Sequence, residues 1–559
     1  MGCDPDCRNE TVTGIDPSLS NKDKSRAVRL ESLRGRIAMA AALAAAIALL
    51  AGCAVGPDYT GVQAPQPASW MQAGDPTIQS NPAELDRWWT VFQDPVLNQL
   101  IETAFRQNLS LQIAGVRILE SRAQLGIAVG GLFPQLQQVR GELVRTRTSK
   151  NTPNTSPTID TRYTDVSVGF DLGWELDFWG KLRRAVESGR ASLEASIAGY
   201  DDILVSLTAE VARTYVLIST LESRLAIARQ NMAIQERSLK IVSLRFREGE
   251  VTELDLSQSR ALVADTRASI PRLESQLRGA VNSLAILLGV LPEQIDEYLT
   301  GPRSIPAAPS ELVVGIPAEL MRRRPDIRLA EHRLRSQSAL IGVAKADLYP
   351  HFSLIGSIGL RSSDAALTFA GFPGGSSLSN LWDGDSLEYF AGPSFRWDLF
   401  NYGRIKNQVR VQDARFQQLA VDYRNTVLRA AEEVESAIAA FLRSQEETQA
   451  LRESVQAAKR AEGLALLQYR EGLVDFQRVL DSQRFKTLQQ DQLIASRGAI
   501  ATNLVAVYKA LGGGWQIRRG KSFLPQDIEE EMRQRTDWGG LLEEPKQSGT
   551  GDEPGKRPE

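Results

Sequence analysis

Two hydrophobic periods alternate along this chain, one of two residues and one near three and a half. From Val166 to Asp177 the apolar residues Val166, Val168, Phe170, Leu172, Trp174 and Leu176 alternate without a break with Ser167, Gly169, Asp171, Gly173, Glu175 and Asp177. A strand of that pattern has one face for hydrocarbon and one for water. A second such strand places Ala391, Pro393, Phe395, Trp397 and Leu399 on one face, and each strand is preceded by a partner, near Gln135 to Arg147 and His351 to Leu360. The intervening loops, Thr148 to Arg162 and Arg361 to Ser386, are polar or rich in glycine and serine. The pattern predicts two hairpins, four strands in all, with Trp174 and Trp397 as membrane-interface aromatics. An edge hairpin of a soluble sheet would show the same alternation.

After each hairpin the period changes. More than sixty residues without proline follow Lys181, and Leu204, Val211, Ile218, Leu225, Met232, Leu239 and Phe246 fall at sevenfold spacing, with Leu207, Leu221 and Val242 filling part of the companion position. That is a coiled-coil seam. A helix of about 65 residues is roughly 100 Å long, which a compact globular domain does not accommodate.

The whole arrangement occurs twice. Trp174-Glu175-Leu176-Asp177-Phe178-Trp179-Gly180-Lys181 recurs as Trp397-Asp398-Leu399-Phe400-Asn401-Tyr402-Gly403-Arg404, a shift of 223 residues. The same shift carries Phe246-Arg247-Glu248-Gly249 onto Tyr469-Arg470-Glu471-Gly472, and Leu288-Gly289 onto Leu511-Gly512. It turns the seam into Val427, Val434, Phe441, Thr448, Val455, Glu462 and Tyr469, with two polar interruptions. One unit has been duplicated. Because four strands cannot close a barrel and open edges are not tolerated in lipid, the chain has to share a barrel with copies of itself.

The N-terminus adds an address. Three arginines between Arg29 and Arg36 precede an apolar run, Ile37 to Leu50, followed by Leu50-Ala51-Gly52-Cys53. This is a secretory signal, too short for a comfortable membrane span, and its last four residues resemble a bacterial lipobox, which makes Cys53 the expected lipidation site. Ala54 is not the acidic residue that retains such lipoproteins at the inner membrane. Residues 1–27 form a polar prefix, and we expect translation to begin near Val28.

Composition mainly excludes. A net charge of -3 leaves no basic footprint for nucleic acid. Of three cysteines only Cys53 follows the signal, and with two histidines a disulfide framework and a histidine metal site are both unexpected. No Walker loop, nucleophile elbow, zinc motif or dinucleotide fingerprint appears in a supporting context, so no enzymatic activity and no cofactor is expected beyond the covalent diacylglycerol and N-acyl lipid on Cys53.

Taken together, these features resemble the outer membrane efflux factor family, the TolC-like channels, in its lipoprotein branch of the NodT/OprM type that serves resistance-nodulation-division pumps. The residues that carry the resemblance are the lipobox with Ala54-Val55-Gly56-Pro57-Asp58-Tyr59, Trp88-Trp89 with Phe92 and Asp94-Pro95, and Arg324-Pro325-Asp326-Ile327-Arg328. Further motifs are Leu348-Tyr349-Pro350, Val479-Leu480-Asp481 with Gln483-Arg484, and Ala510-Leu511-Gly512-Gly513-Gly514-Trp515. The resemblance implies a homotrimer with a twelve-stranded barrel in outer-membrane lipid, four strands per chain, continued by a periplasmic helical coiled-coil barrel. It implies a periplasmic adaptor docked at the tip turns Arg247-Glu248-Gly249 and Arg470-Glu471-Gly472, and an inner-membrane pump beyond it. It also places Asp481 in an acidic ring at a periplasmic gate. Where close relatives often carry an aliphatic plug this chain has Gln477 with Arg478 beside it, so an Arg478 to Asp481 latch is expected instead of a hydrophobic gate.

The resulting division is a prefix (1–27), a signal peptide (28–52), a lipidated segment (53–84), a first repeat (85–289), an equatorial linker (290–318), a second repeat (319–516), and a C-terminal equatorial segment with a disordered tail from Lys546 (517–559). Expected function is the outer-membrane channel of a tripartite efflux system. A scaffolding lipoprotein without a pore, and the periplasmic adaptor itself, are the competing readings; the latter would lack the membrane hairpins and the duplication.

Overall fold

A computed structural model describes residues 54–65, 67–79, 85–151, 161–301, 303–309, 311–315, 323–369, 372–375 and 377–543. The prefix, the signal, Cys53 and the tail from Lys546 lie outside the described residues. The chain forms two compact units, each drawn from both repeats: residues 134–183 and 346–400 with Ala54 and Val55, and a larger unit from Gly56 to Phe133, Arg184 to Lys345 and Asn401 onward.

The first unit is a four-stranded antiparallel sheet of β2 (Leu136–Arg147), β3 (Arg162–Leu176), β5 (His351–Ser363) and β8 (Leu387–Arg396), in that order. The two expected hairpins are joined through β3 and β5, in a register that sets Gly169 opposite Gly359. A Cβ on Gly359 would lie 2.8 Å from the Val168 carbonyl oxygen, so the close approach at this junction needs glycine. Two strand ends differ from the sequence reading. Asp177 is not a strand residue: its carboxylate accepts the amides of Leu182 (2.8 Å) and Arg183 (2.9 Å) and starts the following helix. Trp397 and Leu399 lie past the end of β8, because the chain turns there, Leu399 N–H donating to the Trp397 carbonyl at 3.1 Å. The expected loop from Arg361 to Ser386 contains the end of β5 and a short hairpin, β6 (Ala366–Phe369) with β7 (Phe372–Gly375).

The second unit is helical. Helices α1 (Pro95–Gln107) and α2 (Leu109–Gly130) start at the caps Asp94 and Asn108. They are followed by α3 (Lys181–Arg247), α4 (Glu253–Leu288), α5 (Pro325–Ala346), α6 (Arg404–Arg470), α7 (Phe476–Ala510) and α8 (Gln526–Arg535). Both α3 and α6 are 67 residues long and start and stop at the 223-residue shift. The main core gathers Trp88, Trp89, Tyr215, Ile218, Leu284 and Phe441. In it Trp88 stacks on Tyr508 at 5.3 Å, and Tyr215 O–H donates to Asp94 at 2.8 Å. Two-residue strands that periodicity does not reveal, β1 (Ile78–Gln79) and β4 (Leu312–Val313), pair in parallel and tie the N-terminal segment to the linker.

The seam of the first repeat is buried through Leu225, as the heptads require, but not to its end. Met232 and Leu239 are half-buried and Phe246 is exposed, while Asn231, Gln235 and Ser238 are buried instead. The cause is the partner. Here α3 meets α7 through polar side chains, Gln483 Nε2 donating to Ser238 Oγ at 2.9 Å and Gln235 Nε2 approaching Thr487 Oγ1 at 3.5 Å. In the second repeat Val427, Val434, Phe441, Thr448, Val455 and Tyr469 are all buried.

Candidate functional site

Three groups of residues carry the candidate chemistry: a sheet face, two helical tips, and the polar stretch of α7 beside the second tip. On the sheet, register aligns Val139, Phe170, Ile358 and Tyr389 in one row and Val168, Leu360 and Leu387 in the next. Trp174, Leu354 and Pro393 follow in that face, then Leu176, Phe352 and Phe395. This face is exposed, with Val139 at 77% and Tyr389 at 76%. The opposite face carries Gln138, Asp171 and Ser357, hydrogen-bonded to one another at 3.1 and 2.8 Å, and a row of Glu175, Ser353 and Ser394. An apolar face of this extent, left in water, is a binding surface for lipid or protein.

Aromatic side chains collect where β3 ends and β5 begins. Trp179 stacks on Tyr349 at 4.6 Å and donates its Nε1–H to the Pro350 carbonyl at 2.8 Å; Phe178 lies against Trp179 and Phe352. Of the two aromatics the sequence singled out, Trp174 is half-buried and Trp397 half-exposed, its Nε1–H donating to the Leu348 carbonyl at 3.1 Å. Trp179 was missed, although the repeat contains the signal: the shift pairs it with Tyr402, which is exposed. Val55, two residues after Cys53, donates its N–H to the Trp179 carbonyl at 3.0 Å, so the segment expected to carry the lipid is pinned beside this aromatic group.

The tips are alike. Gly249 and Gly472 take positive φ (+76° and +72°), and in each turn the next residue's amide reaches back five residues, Glu250 to Arg245 and Leu473 to Gln468, both at 2.9 Å. This closes the carbonyls of the last helical turn and needs a left-handed residue. Arg247, Glu248, Arg470 and Glu471 stay exposed around it. Each following helix is capped, α4 by a box of Thr252 with Asp255, α7 by Asp475 accepting the Arg478 amide at 3.3 Å.

Asp481 is exposed on α7, and its partner is Gln477, whose Nε2 donates to it at 2.9 Å. The Arg478 to Asp481 latch is not formed within the chain: Gln477 sits one helical turn before Asp481 on the same face and takes the contact, leaving the exposed Arg478 without an ion pair among the described residues. Behind this exposed face, Val479 and Leu480 join Val242, Leu256, Leu262, Tyr469 and Phe476 in an apolar cluster. Arg245 of α3 lies over the Tyr469 ring at 4.6 Å.

The motif around Arg324 is a clamp. Its guanidinium pairs with Asp326 and with Glu433 of α6, each at 2.8 Å, and also donates to the Ala510 carbonyl at the end of α7. Nearby, Asp201 is fully buried against Arg518 and Arg328. Burial, with Asp326 close by, pushes the Asp202 carboxyl up to about 6.

Comparison with known proteins decides what such an assembly is. The outer membrane efflux protein family model matches residues 100–290 and 316–513. The chain belongs to this family. It is 32% identical to the pyoverdine export outer membrane protein OpmQ of Pseudomonas putida, over 80% of this chain and 92% of that one. It is 30% identical to the antibiotic efflux pump outer membrane protein ArpC of Pseudomonas putida, over 87% and 98%. Among solved structures the outer-membrane channel OprN superposes with a TM-score of 0.75 at 32% identity, covering 83% of this chain and all of that one. This efflux protein therefore has the TolC-like channel fold of long helices and a sheet, and works in the outer membrane.

Proposed function

We propose that this efflux protein is the duct of a tripartite export system: a homotrimer whose three sheets close a twelve-stranded barrel, anchored by lipid on Cys53 and continued by a periplasmic tunnel of coiled coils. The observation that carries the reading is the sheet. Most of its apolar face is exposed, Val139, Phe170, Ile358 and Tyr389 included, and β2 and β8 are each paired on one side only among the described residues. Neither feature suits a chain alone in water or in lipid, and three copies of four strands make a barrel wide enough for a pore. A scaffolding lipoprotein has no use for such a sheet.

The tip turns are the docking points for a periplasmic adaptor, itself coupled to an inner-membrane pump of the resistance-nodulation-division type. Three copies of Asp481 form an acidic constriction that draws cations and narrows the resting duct, with Gln477 holding each carboxylate. Arg478 lies next to it and tunes the charge of the ring. The solutes exported are drugs or other small toxic compounds delivered by the pump, and the chain itself does no chemistry on them.

The test is single-channel conductance of the lipidated, detergent-extracted protein in planar bilayers, with its mass in native gels. Wild type should run as a trimer with small cation-selective currents. Asp481→Ala should enlarge them and reduce cation selectivity, and Arg478→Ala should raise selectivity. A folded, lipidated trimer that never conducts, in wild type or variants, returns the scaffolding reading to first place.

A further inference from the structure

The two polar interruptions of the second seam are unequal, and one of them has a partner. Lys486 of α7 places its Nζ 2.7 Å from both carboxylate oxygens of Glu462 on α6, with side-chain exposures of only 5% and 15%. The repeat supplies the comparison. The 223-residue shift carries Glu462 back to Leu239 and Lys486 back to Val263, so the first repeat has an apolar pair where the second has a buried ion pair. Stability does not require the charges, since apolar side chains serve the same position in α3 and α4, and a buried ion pair gains little over them. What an ion pair adds is direction: it is satisfied in one rotation of α7 against α6, whereas apolar side chains tolerate several.

That rotation matters because of what α7 carries. Asp481 precedes Lys486 by five residues, which at 3.6 residues per turn is about 140° around the helix. With Lys486 held against α6, Asp481 is turned to the exposed face. The other neighbour of α7 is α3, which meets it through the apolar Val242 beside Val479 and Leu480 and, farther from the tip, through the Arg224–Asp491 ion pair at 2.7 Å. Between these contacts lie only the Ser238–Gln483 and Gln235–Thr487 hydrogen bonds among the described residues, and Asn231 Nδ2, Gln235 Oε1 and Gln483 Oε1 are buried there without a partner among those residues. A polar interface with spare donors and acceptors re-pairs readily when one helix turns. The ion pair is thus the directional contact of α7 with α6 in the two turns above Asp481.

We infer that Glu462 and Lys486 are the positioning pair of the constriction, fixing the rotation of α7 that aims Asp481. The inference rests on the duct reading above, and two readouts separate them. In the first, single-channel conductance is compared for wild type, Glu462→Leu with Lys486→Val (the first-repeat residues), Lys486→Met alone, and the swap Glu462→Lys with Lys486→Glu. In the second, spin labels on Asp481→Cys report distances between copies by double electron–electron resonance in each background.

The first-repeat transplant should fold and melt like wild type, yet conduct at least threefold more and broaden the label distances, and the swap should bring both within twofold of wild type. Lys486→Met is not required to fold, because the transplant and the swap decide without it. Wild-type conductance and distances in the transplant would overturn the inference and leave the pair a structural contact. Broadened distances in a trimer that never conducts would keep the positioning pair and sink the duct.

Discussion

The two long coiled-coil pairs, α3 with α4 and α6 with α7, share length, register and tip geometry, and differ in what occupies equivalent positions. Under the common shift Leu225 becomes Thr448, Leu239 becomes Glu462, Val263 becomes Lys486, Asp255 becomes Arg478 and Asp202 becomes Asn425. Register decides which positions face inward: Leu225, Val263, Thr448 and Lys486 are buried, and Leu239 and Glu462 half-buried. The residues placed there then decide whether a pair is a brace or a moving part. The first pair has the apolar Leu225, Leu239 and Val263 at three of these positions, while the second has a buried charge pair near the proposed constriction and, farther from the tip, a Thr448 hydroxyl without a partner among the described residues.

The largest effect should come from breaking what the pairs share. Ile218 and Phe441 are equivalent and both fully buried. Phe441→Ala should cost about 3–5 kcal/mol and Ile218→Ala about 2–4 kcal/mol, because each removes a core side chain and leaves a cavity. Thermal melts of the detergent-solubilised protein, followed by helical circular dichroism, read both. A Phe441→Ala protein that melts like wild type would show that the second seam is not a core, and the comparison would fail at its base.

That shared frame was legible in the sequence because periodicity reports which face is buried: the alternation of β3, the heptads to Leu225 and the repeat all follow from side chains that must leave water. What was not legible depended on which helix or strand lies opposite. The shift of burial from Met232 and Leu239 to Asn231 and Ser238 follows from polar partners on α7. The end of β8 before Trp397 is set by local hydrogen bonds, and the partner of Glu462 lies 24 residues away across a turn, at no helical spacing. Asp481 could be placed on an exposed face, but its Gln477 contact is a matter of side-chain rotamers.

A second way to sharpen the comparison uses Asp202 against Asn425. Burial raises the Asp202 carboxyl from 3.8 to about 6, more than the nearby Arg324 and Lys509 lower it. The folded chain therefore holds a proton that the unfolded chain has released between these values, so this group favours folding below about pH 4, and that contribution is lost as pH rises through about 6. Asp202→Asn, which installs the second-repeat residue, should stabilise by about 2 kcal/mol at pH 7.5 and change little at pH 4. Melts at the two pH values check this. Equal gains at both would mean that the effect is packing rather than charge.

The smallest effect is expected at Thr448, and it isolates a single group. Thr448 is 2% exposed and its hydroxyl has no partner among the described residues. A buried hydroxyl without a hydrogen bond costs roughly 1–3 kcal/mol, so Thr448→Val, which keeps the shape and removes the oxygen, should stabilise by about 1 kcal/mol. Thr448→Leu installs the first-repeat residue. Its extra carbons have somewhere to go, because Thr448 borders a cavity of about 710 Å³ shared with Val455, Leu493 and Ile500, and each buried methylene adds about 0.8 kcal/mol where it fits. Leucine should therefore match or exceed valine in thermal melts. Neither change touches the Glu462–Lys486 contact, so neither should alter conductance. If valine stabilises and leucine does not, the second seam is packed too tightly for the first-repeat side chain. If both destabilise, the hydroxyl is satisfied by bound water, and Thr448 belongs with Glu462 among the built polar features of the second pair.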